Sequence, residues 1–196
     1  MEVGILNGRV LYTGGAEGVD ALVEELARRY DMSVCVIIPP THSRAVRSTP
    51  LMESMLHEGL QHVLRANKTL QRSLSNNVLK TGLLQRNYWV VRDTNLVLAF
   101  GHFDTTKPHT LQGGTGWSVQ MALEQQKPVC VYTDRWYQFD YPQQRFVPCY
   151  PPYLHPQNTT IVGSRHITLQ MTQELHNLFQ RTIQLETRPL LNFWFH

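Results

Sequence analysis

A doubly wound α/β fold, a single mainly parallel sheet with helices on both faces, is what the 196-residue sequence predicts, and three observations predict it. Short apolar runs rich in β-branched residues alternate with longer segments of helical periodicity. Two glycine-rich turns follow such runs, and open α/β sheets bind ligands outside the carboxyl ends of their strands. No internal repeat or linker-like stretch interrupts the alternation, so one ligand-binding domain over 1–196 is expected, with a hairpin or loop inserted at 134–158.

The elements follow in order. RVLYTGG (9–15) is a β-type run ending in glycines. In the next segment Val19, Leu22, Val23, Leu26, Ala27 and Tyr30 recur at helical spacing, with Glu24–Arg28 and Glu25–Arg29 as i,i+4 pairs on the outer face. SVCVII (33–38) is continuously apolar, as a strand covered on both faces should be. The proline-rich 39–50 reads as a loop and 51–74 as a helix with a break near Asn67. A turn at SLSNN precedes a helix from about Val78 to Val91. TNLVLAFG (94–101), KPVCVYT (127–133) and TTIVGS (159–164) are further strands, and helices are expected from the second glycine turn to Gln126 and around Met171, Leu175, Leu178 and Phe179.

Composition excludes several classes. Hydrophobic residues make up 42% and charged residues 17%, as in globular chains rather than disordered or fibrous ones. The sequence has no bilayer-length apolar run and MEVGILNGRVLY lacks a signal-peptide layout, so a cytoplasmic protein without a membrane partner is expected. Cys35, Cys130 and Cys149 form no CxxC pair, which argues against a disulfide framework or a zinc ribbon. The net charge of +3 is unevenly placed: from Arg44 to Arg92 eight Lys/Arg face two acids, which leaves the remainder acidic. That asymmetry favours an anionic partner. The basic residues lack the density of a nucleic-acid surface, so nucleic acid is not the expected partner.

Two turns carry the candidate chemistry. Thr13-Gly14-Gly15-Ala16-Glu17-Gly18-Val19-Asp20 and Gly113-Gly114-Thr115-Gly116 each link a strand to a helix. Glycine lets backbone N–H groups approach an anion, and a helix N-terminus favours negative charge. Thr115 can cap its helix or donate to a phosphate. Neither turn matches a Walker A loop or the GxGxxG fingerprint, which disfavours ATP hydrolysis and simple NAD chemistry. In QRNYWVVRDTN (85–95), Arg86 can clamp a phosphate with two parallel N–H bonds or sit in a surface salt bridge, and spacing does not choose. Asp20, in the first turn of a helix, suits the dipole and can bind a ribose hydroxyl. Asp93 reads as an organiser of the 86–95 turn.

TGGAEGVDAL, LLQRNYWVVRDTNLVLAFG, LQGGTGWSVQMALEQQKPVCVYT and IVGSRH together resemble, in order, the four motif blocks of the molybdenum carrier family. That family belongs to the Rossmann-like nucleotide-binding superfamily of DNA-processing protein A and the Lonely Guy phosphoribohydrolases. Its SGG-x-x-G-x-D turn is matched by Gly14, Gly15, Gly18 and Asp20. Its Arg followed by V-R-D-[ST]-D is matched by Arg86, Val91, Arg92, Asp93 and Thr94, with Asn95 for the last Asp. Its GGT helix and G-K-P are matched by Gly113, Gly114, Thr115, Lys127 and Pro128, with Gln126 for the Gly. For its terminal G-P-R-E the chain offers Gly163, Ser164, Arg165 and His166. Arg86-Asn87 and the ALEQ of 122–125 are similar to DNA-processing protein A. The resemblance covers most of the chain outside 45–75, 134–158 and the residues after 183. It implies a Rossmann-like fold holding a phosphate-bearing ligand over the two glycine turns, such as a nucleotide or a molybdenum cofactor. It does not identify that ligand, since the superfamily holds nucleotides, nucleotide-derived signals, single-stranded DNA and molybdopterin. The ligand-binding residues it points to are Thr13, Gly14, Gly15, Ala16, Glu17, Gly18, Asp20, Arg86, Asn87, Asp93, Gly113, Gly114, Thr115 and Gly116.

The Lonely Guy motif PGG-x-G-T-x-x-E carries a carboxylate where this chain has Gln120. An amide cannot act as a general base, so the sequence favours a carrier or sensor of a phosphorylated small molecule over an enzyme. The alternative is a nucleoside-phosphate N-glycosidase using another carboxylate. The nine histidines (42, 57, 62, 102, 109, 155, 166, 176, 196) show no metal-ligand spacing, and no catalytic residue or metal site is assigned. Trp117, beside the second turn, can stack on a ring but is expected in the core, as Trp89 and Trp136 are. The apolar LLNFWFH at the end is expected to pack on the sheet or on a second subunit, so a homo-oligomer is expected.

Overall fold

The structure is a computed structural model that describes residues 8–40, 49–107 and 109–187, with backbone alone at 49 and 50. His42, Arg44, Arg47, most of the expected 39–50 loop, and the tail with Trp194 and His196 lie outside the described residues. In chain order the elements are β1 (Val10–Thr13), α1 (Val19–Arg29), β2 (Ser33–Ile38), β3 (Thr49–Pro50), α2 (Glu53–Leu70), α3 (Val78–Arg92) and β4 (Leu96–Phe100). They continue with α4 (Gly113–Glu124), β5 (Val129–Tyr132), β6 (Trp136–Asp140), β7 (Arg145–Pro148), β8 (Asn158–Gly163) and α5 (Leu169–Thr187).

All strands join one sheet in the order β3-β2-β1-β8-β4-β5-β6-β7. Pairing is parallel from β3 through β5, and β6 and β7 add an antiparallel hairpin at the far edge. Alternation along the central strands divides the core into two layers. Leu11, Leu98, Phe100 and Ile161 face α1 and α5, while Val97, Ala99, Val131 and Val162 face α2, α3 and α4. The sheet is therefore doubly wound, Rossmann-like and mainly parallel, as the alternating pattern predicts. The aromatic segment at 134–158 does not stand apart from it. Trp136 is buried against α5 with its Nε1 donating to Glu174, and Tyr137 and Phe139 pack on the opposite face.

One feature of the order departs from the linear reading. The two glycine turns follow β1 and β4, and the last strand of the chain, β8, lies between those two, paired to both. The chain winds outward from β1 through β2 and β3, then from β4 through β5. The last strand fills the point where the winding reverses, the place where such sheets bind ligands. No helix among the described residues is long and apolar enough to cross a membrane.

Candidate functional site

A cleft of about 560 Å³ lies at the carboxyl ends of β1, β8 and β4. Its walls are the turn at Ala16, residues 163–166 beyond β8, the inner face of α3 from Lys80 to Asn87, and the start of α4. Several of the expected ligand residues meet there: Ala16, Asp20, Arg86, Asn87, Gly113, Gly114 and Thr115 all line it.

Arg86 lies deepest among its cations. It is 6% exposed, and its guanidinium lies against Gly14, where a Cβ would stand 1.7 Å from Nη1. The absence of a side chain at Gly14 is what lets the arginine reach the cleft. Its Nε is buried with no hydrogen-bond acceptor among the described residues. Burial pushes the Arg86 pKa down; Asp20 opposes that shift through space, and Arg165 reinforces it. Neither Arg86 nor Asp20 takes part in an ion pair among the described residues. The surface salt bridge is thus corrected. Arg86 is a buried cation turned toward a cavity, and a guanidinium stays protonated at any working pH.

The start of α4 complements it. The N-cap residue Gln112 provides no side-chain cap, because its Nε2 donates to the Phe103 carbonyl at 3.2 Å. The amides of Gly113, Gly114 and Thr115 consequently have no acceptor among the described residues, as the first turn of a helix requires unless something caps it. Gly113 has φ +61, and a Cβ at Gly113 or Gly114 would meet nothing within 4 Å, so the approach is open. Arg72 braces this end from behind, donating to the Gly113 carbonyl at 3.0 Å and to the Leu111 carbonyl. Gly116 faces that same packing. A Cβ there would lie 2.0 Å from the Leu111 oxygen, so the close packing of this loop requires glycine.

The first glycine turn does something different. Its Ala16 amide donates to Asp20 Oδ2 at 3.2 Å, and Asp20 Oδ1 accepts from the Gly163 amide at 3.3 Å. The Val19 amide, at the start of α1, is capped by the Ser164 carbonyl at 3.2 Å. Gly18, with φ +81, packs so closely on residues 164 and 165 that a Cβ would lie 2.4 Å from either carbonyl oxygen. Gly15, at φ +67, packs on Val36, and buried Thr13 lies beside the Asp20 carboxylate. This turn stitches β1 to β8 and makes room for Arg86. Two of its amides, those of Ala16 and Val19, are spent on acceptors within the protein. Asp20 spends both oxygens on that stitch, and burial raises its pKa against the opposing effects of Arg86 and the two amides.

Other expected residues fall outside the cleft. Glu17 is exposed and does not line it. Asp93 caps α3 at the opposite end of β4, paired with Arg92 at 2.8 and 2.5 Å, so it is too remote to touch a ligand there. Gln120 also faces away, toward a separate cleft beside the β6–β7 hairpin. The residue of α4 that does face the main cleft is Ser118, together with Trp117, which is 5% exposed and belongs to the core as expected. Linear reading missed Ser118, Lys80, Ser164 and Arg165 as cleft residues. The signal for the last two was available: GSRH follows a buried strand directly, but only the sheet order puts that strand at the centre. His102 and His166 line the rim, and no cluster of three His, Cys, Asp or Glu side chains able to hold a metal ion occurs among the described residues.

Fold and site define a class: a doubly wound α/β protein with a cationic cleft over its central strands. No family model matches the chain, and no curated protein matches it. Among solved structures, a proposed molybdenum carrier protein from Syntrophus aciditrophicus SB is similar at 13% identity and a TM-score of 0.42, over 91% of this chain and 92% of that one.

Proposed function

We propose that this chain binds a phosphorylated small molecule as a carrier or sensor, the phosphate resting on the α4 N-terminus against Arg86. The observation that carries the reading is a buried guanidinium lacking an Nε acceptor, on the α3 wall, together with three open amides at the start of α4 in the same cleft. An anion is the one partner that satisfies both, through charge-assisted hydrogen bonds and the helix dipole. The cavity volume of about 560 Å³ suits a nucleotide, a nucleotide-derived signal or a molybdopterin-type cofactor, all of which present such a phosphate.

The competing readings have less support. An N-glycosidase needs a carboxylate free to act on the substrate, whereas Asp20, the carboxylate lining this cleft, accepts backbone amides with both oxygens. A nucleic-acid surface needs exposed cations in register with phosphates. Of the basic segment, Arg86 is buried, Arg72 is spent on backbone carbonyls, and Arg92 pairs with Asp93 and lies over the Trp89 ring.

Native mass spectrometry of the purified protein, followed by denaturation and identification of released material, tests the proposal. A phosphate-bearing small molecule that is retained by wild type and lost in Arg86→Ala is the expected result. A ligand without phosphate, or one held equally by the variant, would overturn it.

A further inference from the structure

Gln120 opens on a second cleft, about 430 Å³, between α4, the end of α2 and the β6–β7 hairpin. Its hydrogen-bonding groups are unbalanced. Glu124 Oε1 accepts from Gln120 Nε2 at 3.4 Å, while Glu124 Oε2 is buried without a partner among the described residues. Gln144 Nε2 donates to the Tyr141 carbonyl at 2.6 Å. A carboxylate and a carbonyl can only accept, so both amides turn their NH2 groups toward them, using one N–H each, and leave their oxygens open. The cleft therefore offers acceptors: Glu124 Oε2 and the Gln120 and Gln144 oxygens, with Phe139 as an aromatic wall.

The backbone adds an independent observation. Of the five non-glycine residues with positive φ among the described residues, three line this cleft: His109 at +67°, Gln126 at +54° and Gln144 at +53°. Gln126 closes the end of α4, its amide donating to the Leu123 carbonyl, and Gln144 turns the β6–β7 hairpin, so these left-handed residues shape the rim of the cleft. Burial raises the Glu124 pKa, and Arg65 and Lys68, on the neighbouring α2, oppose the rise together with the Gln120 hydrogen bond.

We propose that this second cleft binds a small organic cation bearing several N–H donors, a guanidinium or primary ammonium on an alkyl chain. Its donors meet Glu124 Oε2 and the Gln120 and Gln144 oxygens, and its flank rests on Phe139. The site is separate from the phosphate cleft and does not depend on it.

Isothermal titration with agmatine, which carries both cationic groups, tests the proposal on the full chain. Wild type should bind saturably, and Glu124→Gln should bind at least tenfold more weakly while melting at the same temperature or higher, because a carboxylate whose burial disfavours its charge is replaced by a neutral amide of the same size. Gln120→Leu, which keeps the carboxylate, should also weaken binding. Absence of saturable binding to wild type, or affinity unchanged in both variants, would overturn the proposal.

Discussion

Replacing Gly114 by Asp separates the anion site from the stability of the helix that forms it. A Cβ at this position meets no atom within 4 Å and the backbone has no left-handed φ, so the branch point carries no steric cost. A carboxylate in the first turn of α4 interacts favourably with the helix dipole, by about 0.3–1 kcal/mol, and removing a helical glycine adds a similar gain. Together these amount to about 0.6–2 kcal/mol, which for a domain of this size raises the melting temperature by about 1–8 °C. Binding moves in the opposite direction. The new carboxylate would lie about 5 Å from a phosphate held by the 113–115 amides, and at an effective dielectric of ~20 each unit of ligand charge is repelled by about 3 kcal/mol. Affinity for a nucleoside monophosphate, or for whichever phosphorylated ligand co-purifies, should fall by about two orders of magnitude or more. Gly114→Ala should share the thermal gain and keep affinity within about threefold. Scanning calorimetry of the unliganded proteins and titration calorimetry with the ligand give the two readouts. A variant that melts higher yet binds as wild type would refute the placement of the anion. One that binds weakly because it melts lower would refute the steric reasoning.

Gly14→Ala tests the other half of the site: its Cβ would stand 1.7 Å from Arg86 Nη1, so the guanidinium must leave its place. Ligand affinity should fall at least tenfold and stability by about 1–3 kcal/mol, read by titration and urea denaturation. Asp20→Asn should cost about 1–3 kcal/mol, since its amide must turn NH2 toward one of the two backbone donors that the carboxylate accepts. The same variant changes the pH profile. Burial raises the Asp20 pKa above 3.8, so its contribution to stability is full below that value and is lost as pH rises through the folded-state pKa. Denaturation curves of the Asn variant should lack that slope. At Cys130, burial pushes the thiol up to about 12, so iodoacetamide at about pH 8 should leave this residue unmodified in the native protein, as peptide mapping will show.

The parts of the fold visible in the sequence are those with strong periodicity and local punctuation. SVCVII is a strand from Ser33 to Ile38, and the helix expected from Val78 to Val91 spans Val78–Arg92 behind an Asn77 side chain that accepts from the Lys80 amide. The expected break near Asn67 does not occur: α2 runs through that residue and stops short of the expected end at 74. The Asn67 side chain brackets Arg72 through both its amide and its carbonyl, and α2 ends at Leu70. What remained hidden is long-range. Insertion of β8 between β1 and β4 brings Ser164 and Arg165 against Gly18 of the first glycine turn, a contact that no local pattern announces. No local signal distinguishes a glycine that admits a ligand from one that admits an arginine, as Gly14 does, or a carbonyl, as Gly18 and Gly116 do. The same holds for Gln120: motif spacing counts residues, whereas which side of α4 faces the cleft depends on how that helix packs against α2 and α3.

A crystal structure with inorganic phosphate or a nucleoside monophosphate soaked into the cleft tests the central claim most directly. The phosphate oxygens should lie about 2.7–3.1 Å from the amides of 113–115 and from the Arg86 guanidinium. An anion bound at the 14–18 turn, or away from Arg86 altogether, would contradict the account.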